Sequence, residues 1–237
     1  METFGSQAAG NQRVQATLQC GMLGAMLMLI ADMLMMGLPI SATEYNSLGL
    51  GLLAEVGSLR LVIGGLLGVL AAVYYYNGFG FIVAIIPQDK LGRIATSLYR
   101  IMAIAAGVYH FLLPWPAILA DGRLAAESLS RVYASPVIYS MRMLLFTAAL
   151  LPMIAAGIIL LLLILSGRLN APVWIAMLVP GIPLAFIGIV NHIPAPLGDY
   201  LNAGWLNLTI MLFFVALLLN SNEVSGPAPL SDNPAIP

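Results

Sequence analysis

The side chains able to do chemistry in this sequence are the few polar ones set in or at the ends of long apolar runs: Asp32, Arg60, Tyr75, Asn77, His110, Arg142, His192 and Asn207. A charged group facing hydrocarbon costs on the order of 2.5–3.5 kcal/mol by insertion scales, so such groups pair, line a cavity or carry a function. Arg60 and Arg142 are long enough to reach an interface instead. Asp32 and His110 are short and lie deeper. A carboxylate and an imidazole are the natural acid–base groups near neutral pH. The sequence predicts that Asp32, Arg60, His110, Arg142 and His192 converge on one polar cavity open to the outside, with an arginine paired to Asp32. Tyr75 and Asn77, in the run Tyr74-Tyr75-Tyr76-Asn77, could line its floor or bond to backbone carbonyls left open elsewhere. Asn207 lies at similar depth on another segment.

Other chemistries are poorly served. Bis-histidine haem ligation would need both His110 and His192, and His192 stands in Asn-His-Ile-Pro, a poor rigid platform. A metal site has no further histidine and no cysteine cluster to draw on, since Cys20 is the single cysteine. The methionines Met22, Met26, Met28, Met33, Met35 and Met36 read as flexible apolar filler rather than Cu(I) ligands. Phosphate-loop, GxSxG, HExxH and CxxC patterns are missing from the sequence. No resident cofactor and no metal is expected.

The elements that must position these residues are membrane helices. The 237 residues are 61% hydrophobic and 8% charged, with mean hydropathy +0.97, whereas a soluble domain carries roughly 25% charged residues. Net charge is −1, which gives no basic stripe for nucleic acid. Six segments have the ~20 apolar residues that a crossing needs: Thr17–Pro39, Arg60–Ile86, Thr96–Leu119, Val137–Leu165, Pro172–Val190 and Ala203–Leu219. The predicted fold is therefore all-α, a polytopic transmembrane helical bundle of about six spans. It divides into an N-terminal cytoplasmic segment 1–16, a membrane domain 17–219 and a disordered tail 220–237 rich in Pro, Ser and Asn. The first apolar run is longer than a signal-peptide core and reads as a retained span.

The fifth segment is interrupted by Val179-Pro180-Gly181-Ile182-Pro183. The two prolines lack N–H groups, so the carbonyls of Ala176 and Val179 lose their helical partners. Gly64 and Gly68 form a GxxxG pattern in the second span, which allows close helix approach in lipid. Trp115, Tyr133, Tyr139, Tyr200 and Trp205 fall where an aromatic belt would lie.

Several patches together resemble an uncharacterised family of small bacterial multi-span membrane proteins, a domain of unknown function. They are Ala31-Asp32, the run Leu59-Arg60-Leu61-Val62-Ile63-Gly64-Gly65-Leu66-Leu67-Gly68, His110, and Ile193-Pro194-Ala195-Pro196-Leu197-Gly198 leading to Asn207. The resemblance covers most of the chain. It implies a bacterial inner-membrane protein of about six helices and no particular activity.

Three functions follow from these residues. The first is binding or moving a small molecule or lipid through the outer-facing cavity. The second is a membrane-embedded enzyme with His110 and Asp32 as acid–base groups. The third is a structural or assembly partner of another membrane protein. The bilayer is the one partner the composition requires, and nothing in the sequence fixes an oligomeric state. An even span count and the cations Arg13, Lys90, Arg93 and Arg168 put both termini in the cytoplasm. A reporter fused after Pro237 should be active in the cytoplasm; activity confined to the periplasm would refute this topology.

Overall fold

In the computed structural model, residues 2–37, 49–120, 123–190, 192–194 and 197–221 are described. The 41–48 stretch with Glu44, Asp121, and the tail from 222 lie outside the described residues, as do the side chains of Asp199, Tyr200 and Asn202. The helices are α1 (Glu2–Met36), α2 (Ser58–Gly78), α3 (Phe81–Ile85), α4 (Lys90–Leu112), α5 (Trp115–Ala120), α6 (Ala126–Tyr133), α7 (Pro136–Leu165), α8 (Ile187–Val190) and α9 (Leu197–Leu219). The described residues contain no strand, so the all-α class holds. Among the described residues, four stretches are long and apolar enough to cross a membrane: Gly10–Met36, Ser58–Ile85, Lys90–Ala120 and Pro136–Leu165. The apolar part of α9, Ala203–Leu219, is shorter.

Local sequence sets the helix ends. Asp89 caps α4, its Oδ1 accepting from the Gly92 N–H at 2.9 Å. Pro136 opens α7, where a missing N–H costs nothing. Packing runs α9–α1–α2–α4–α7, each helix against the next. The GxxxG pattern does not serve one neighbour. A Cβ on Gly64 would fall 2.6 Å from Met35 of α1, while one on Gly68 would fall 2.5 Å from the Cβ of His110 on α4. The stripe faces the seam between two helices and admits both.

Contacts along the helices fix their directions. Gly204, early in α9, abuts Leu29 and Met33, late in α1; Phe214, late in α9, abuts Gly21. The helices α1 and α9 are thus antiparallel, so the end of α9 lies at the same end of the bundle as the start of α1. At that end Arg168, just past α7, binds Asp89. Partial burial raises the cost of charge on Asp89, but the Gly92 N–H and the Arg168 guanidinium outweigh it and hold its carboxyl below its ordinary value.

The chain between Arg168 and α9 therefore passes from one end of the bundle to the other, but not as an α-helix. The expected kinked fifth span is instead two 3₁₀ turns, Val173–Leu178 and Ile182–Phe186, and the single turn α8. Gly181 between them has φ of 103°, a backbone conformation that side chains disfavour. The carbonyls of Ala176 and Val179 are re-paired within the turns, with the N–H groups of Val179 at 3.4 Å and Ile182 at 3.0 Å. The Pro183 carbonyl accepts from Trp205 Nε1 at 3.0 Å, and that of Pro180 lies 3.5 Å from the Tyr99 hydroxyl. Irregular backbone survives at membrane depth only where protein satisfies it, and here two side chains and the turns do so. Trp205 serves this segment as well as any aromatic belt. The α7 helix makes room at Gly157, where a Cβ would collide with the Pro180 carbonyl.

Two apolar clusters result. The larger one joins α1, α2, α4, α7, α9 and the irregular span, with Phe79 stacked on Tyr99 at 4.0 Å. The smaller one, at the far end, packs Leu53 and Val56 from the 49–56 segment and Leu129 and Tyr133 from α6 on Met35, Leu61 and Leu113. Tyr133 is buried there and donates to the Leu113 carbonyl at 2.7 Å, so it belongs to this cap and not to an aromatic belt.

Gly157→Ala should destabilise the protein by about 1–3 kcal/mol, the usual cost of overpacking. Unfolding of the detergent-solubilised variant measures it, and an unchanged midpoint would show that α7 and the Pro180 turn do not pack as described.

Candidate functional site

Asp32 sits on α1 one turn before Met35 of the cap, and its carboxylate meets polar groups from two other helices. Oδ1 lies 2.9 Å from His110 Nε2, and Oδ2 accepts from the Asn207 amide at 2.6 Å. Asn207 Oδ1 in turn accepts from the Tyr75 hydroxyl at 2.7 Å. The other imidazole nitrogen, His110 Nδ1, lies 2.9 Å from the Ala106 carbonyl. Each contributor comes from a different helix: α1, α2, α4 and α9. Gly68 leaves the space in which the His110 ring lies.

The bond pattern suits a pair that holds one proton between its members. A backbone carbonyl only accepts, so Nδ1 carries a hydrogen and donates to Ala106. Nε2 then either carries a second proton facing a carboxylate, or presents a lone pair to a protonated carboxyl. Both forms place one shared proton between Asp32 and His110 and leave the pair with no net charge. Neutrality of the pair is what makes this carboxylate tolerable at depth. The amide of Asn207 is oriented by the same logic, nitrogen toward the carboxylate and oxygen toward the phenol. The cluster is largely enclosed by protein, with side-chain exposure of 12% for His110 and 15% for Asp32, and 7% for Asn207 and 1% for Tyr75.

Of the residues expected together, the structure brings Asp32, Tyr75, His110 and Asn207 into one cluster and places the others elsewhere. The partner of Asp32 is His110 rather than an arginine. Arg60 donates to the Met33 carbonyl at 3.3 Å, at the C-terminal end of α1 where the helix dipole favours a cation. Arg142 lies with its guanidinium carbon 5.8 Å from the Tyr133 ring centroid. His192 is exposed past α8, with Nδ1 2.6 Å from the Gly188 carbonyl. Asn77 is exposed and bonds back to the Val73 carbonyl at 2.8 Å. Tyr76 lies under Arg100, whose guanidinium carbon is 4.8 Å from its ring centroid. The larger grooves, about 470 and 510 Å³, are apolar and include neither Asp32 nor His110. The apolar cap lies just beyond the cluster. Among the described residues these four form a hydrogen-bonded layer, and neither of those two grooves opens onto it.

Sequence reasoning missed the residues that serve the broken span, Tyr99 and Trp205. Their signal was weak, because a phenol or indole in an apolar run names no partner. The run Tyr74–Asn77 was a candidate for those carbonyls and meets none of them.

Several helices long and apolar enough to span a bilayer, packed around a buried polar layer, make this a helical membrane protein. The chain belongs to a family of unknown function, DUF6796, whose model matches residues 6–224. No curated protein and no solved structure matches it.

Tyr75→Phe should cost about 1–3 kcal/mol, because Asn207 Oδ1 is left buried without a donor. Asp32→Asn should cost a similar amount and not the 3–5 kcal/mol of a broken dry ion pair, since His110 can shed its proton when its partner is neutral. Denaturant unfolding in micelles tests both; a Tyr75→Phe variant as stable as wild type would remove the Asn207 bond from the account.

Proposed function

We propose that this protein binds or moves a small molecule or lipid, and that it does so in step with the proton shared by Asp32 and His110. The observation that carries this reading is the bond pattern of the pair. One titratable proton sits where four helices meet, and gaining or losing it changes the bonds holding α1, α4 and α9 together. Intramembrane Asp–His chains are a common form of proton relay. The cap of residues 49–56 and α6 closes the layer from one end, so a ligand reaches it when the cap or a helix seam opens.

The membrane we propose is the inner membrane of a bacterium, with both termini cytoplasmic. The support is electrostatic: Lys90, Arg93 and Arg168 cluster at the end of the bundle where α1 begins and α9 ends.

A second reading, an acid–base enzyme, is favoured by the 2.9 Å contact of His110 and Asp32. Both imidazole nitrogens are engaged by protein acceptors, however, so one of these bonds must open before His110 can act on a substrate.

Native mass spectrometry of the intact, gently solubilised protein tests the proposal. A co-purifying lipid or small molecule should be retained to different extents across about pH 5 to pH 9, a range that extends to both sides of the ordinary imidazole value because the carboxylate partner displaces it. Asp32→Asn and His110→Gln should flatten that dependence. Equal retention across the range in the wild type would overturn the proton-coupled reading, and turnover of the captured molecule would favour the enzyme.

A further inference from the structure

Arg142 is the polar group in the transmembrane region for which the fold supplies least. It lies in the second turn of α7, and its Nε is buried without a hydrogen-bond acceptor. Neither ion pair among the described residues includes it. Its one described interaction is with the face of Tyr133. A guanidinium nitrogen withdrawn from water and left without an acceptor is costly, so an acceptor from outside the chain is the expected remedy.

The side chain opens onto a groove of about 470 Å³ between α4, α5, α6 and α7. That volume falls within the range of small-molecule sites, roughly 300–1,000 Å³. Apart from Arg142 the lining is apolar or aromatic, including Trp115, Leu119, Ile138 and Leu145. The rings of Tyr109 and Trp115 share the groove, and such rings favour headgroup depth. A hydrocarbon chain suits these walls, and an anionic oxygen suits the guanidinium. Charge favours an anion over a zwitterion: from 120 to 142 the chain carries Arg123, Arg131 and Arg142 against Asp121 and Glu127, a surplus of one cation.

We propose that this groove holds one acyl chain of an anionic phospholipid, with the Arg142 guanidinium donating to the lipid phosphate. No residue of the Asp32 cluster lines the groove, so this site stands independently of the proton-coupled reading above.

The test uses the full chain purified in neutral detergent, with phosphatidylglycerol and phosphatidylcholine of matched chains as probes and inorganic phosphate as a third. Native mass spectrometry should show phosphatidylglycerol retained about five-fold better than phosphatidylcholine, the factor for one near-surface cation acting on an anionic headgroup. Arg142→Gln should bring the two lipids level. Leu145→Trp, which fills the groove and keeps the arginine, should weaken retention of both, and it covers the case in which Arg142→Gln does not fold. Inorganic phosphate should neither bind nor compete. Equal retention of the two lipids by the wild type, a preference that survives Arg142→Gln, retention unchanged by Leu145→Trp, or competition by phosphate alone would each overturn the assignment.

Discussion

A carboxylate near the end of the first membrane helix must be neutralised by protein, and the arrangement of this bundle follows from how that is done. Lipid gives apolar helix faces little reason to choose one neighbour over another, because tails and side chains are equally apolar. Asp32 supplies the missing preference. Its two oxygens accept only from directions that α4 and α9 can fill, and Asn207 passes the requirement on to Tyr75 of α2. Four helices are thereby held in one rotation and one depth. The apolar clusters on either side fill space around that layer; the directional bonds determine which surfaces meet.

The irregular segment between α7 and α9 obeys the same demand in another form. There the groups needing partners are carbonyls released by two prolines. Two are met inside the 3₁₀ turns, and the Pro180 and Pro183 carbonyls face donors on α4 and α9. Gly157 and Gly181 remove the side chains that would prevent this, one by close approach and one by its backbone conformation. Proline breaks the helix, while neighbouring helices make the broken form tolerable.

Much of this was legible in the residues. Apolar runs of the right length marked the four long apolar helices, because hydrocarbon thickness sets a length that composition reveals. The depth of Asp32, His110 and Asn207 was legible for the same reason. Which partner Asp32 takes was not, since helix rotation decides whether His110 or an arginine faces it, and in lipid both faces of a helix are apolar and leave rotation unmarked. Arg60 and Arg142 were drawn toward Asp32 by charge alone, yet a helix-end carbonyl and an aromatic face hold them elsewhere. The fifth crossing was visible as a break; its 3₁₀ form depends on Tyr99, Trp205 and Gly157, which lie far off in sequence. The cap was unreadable, because the 49–56 segment and α6 are short and gain their order from each other and from the helix ends beneath them.

The cluster around Asp32 also has a direction in time. Its members lie at positions 32, 75, 110 and 207, so they leave the ribosome in that order. After α4 has entered the membrane, Asp32 has its histidine, but one carboxylate oxygen and the Tyr75 hydroxyl still await the amide on α9. They are completed only by a residue 175 positions downstream of Asp32. A chain interrupted anywhere before α9 therefore lacks both of these bonds, a mark of the unfinished molecule. The last helix closes the bundle and, in the same act, conceals that mark.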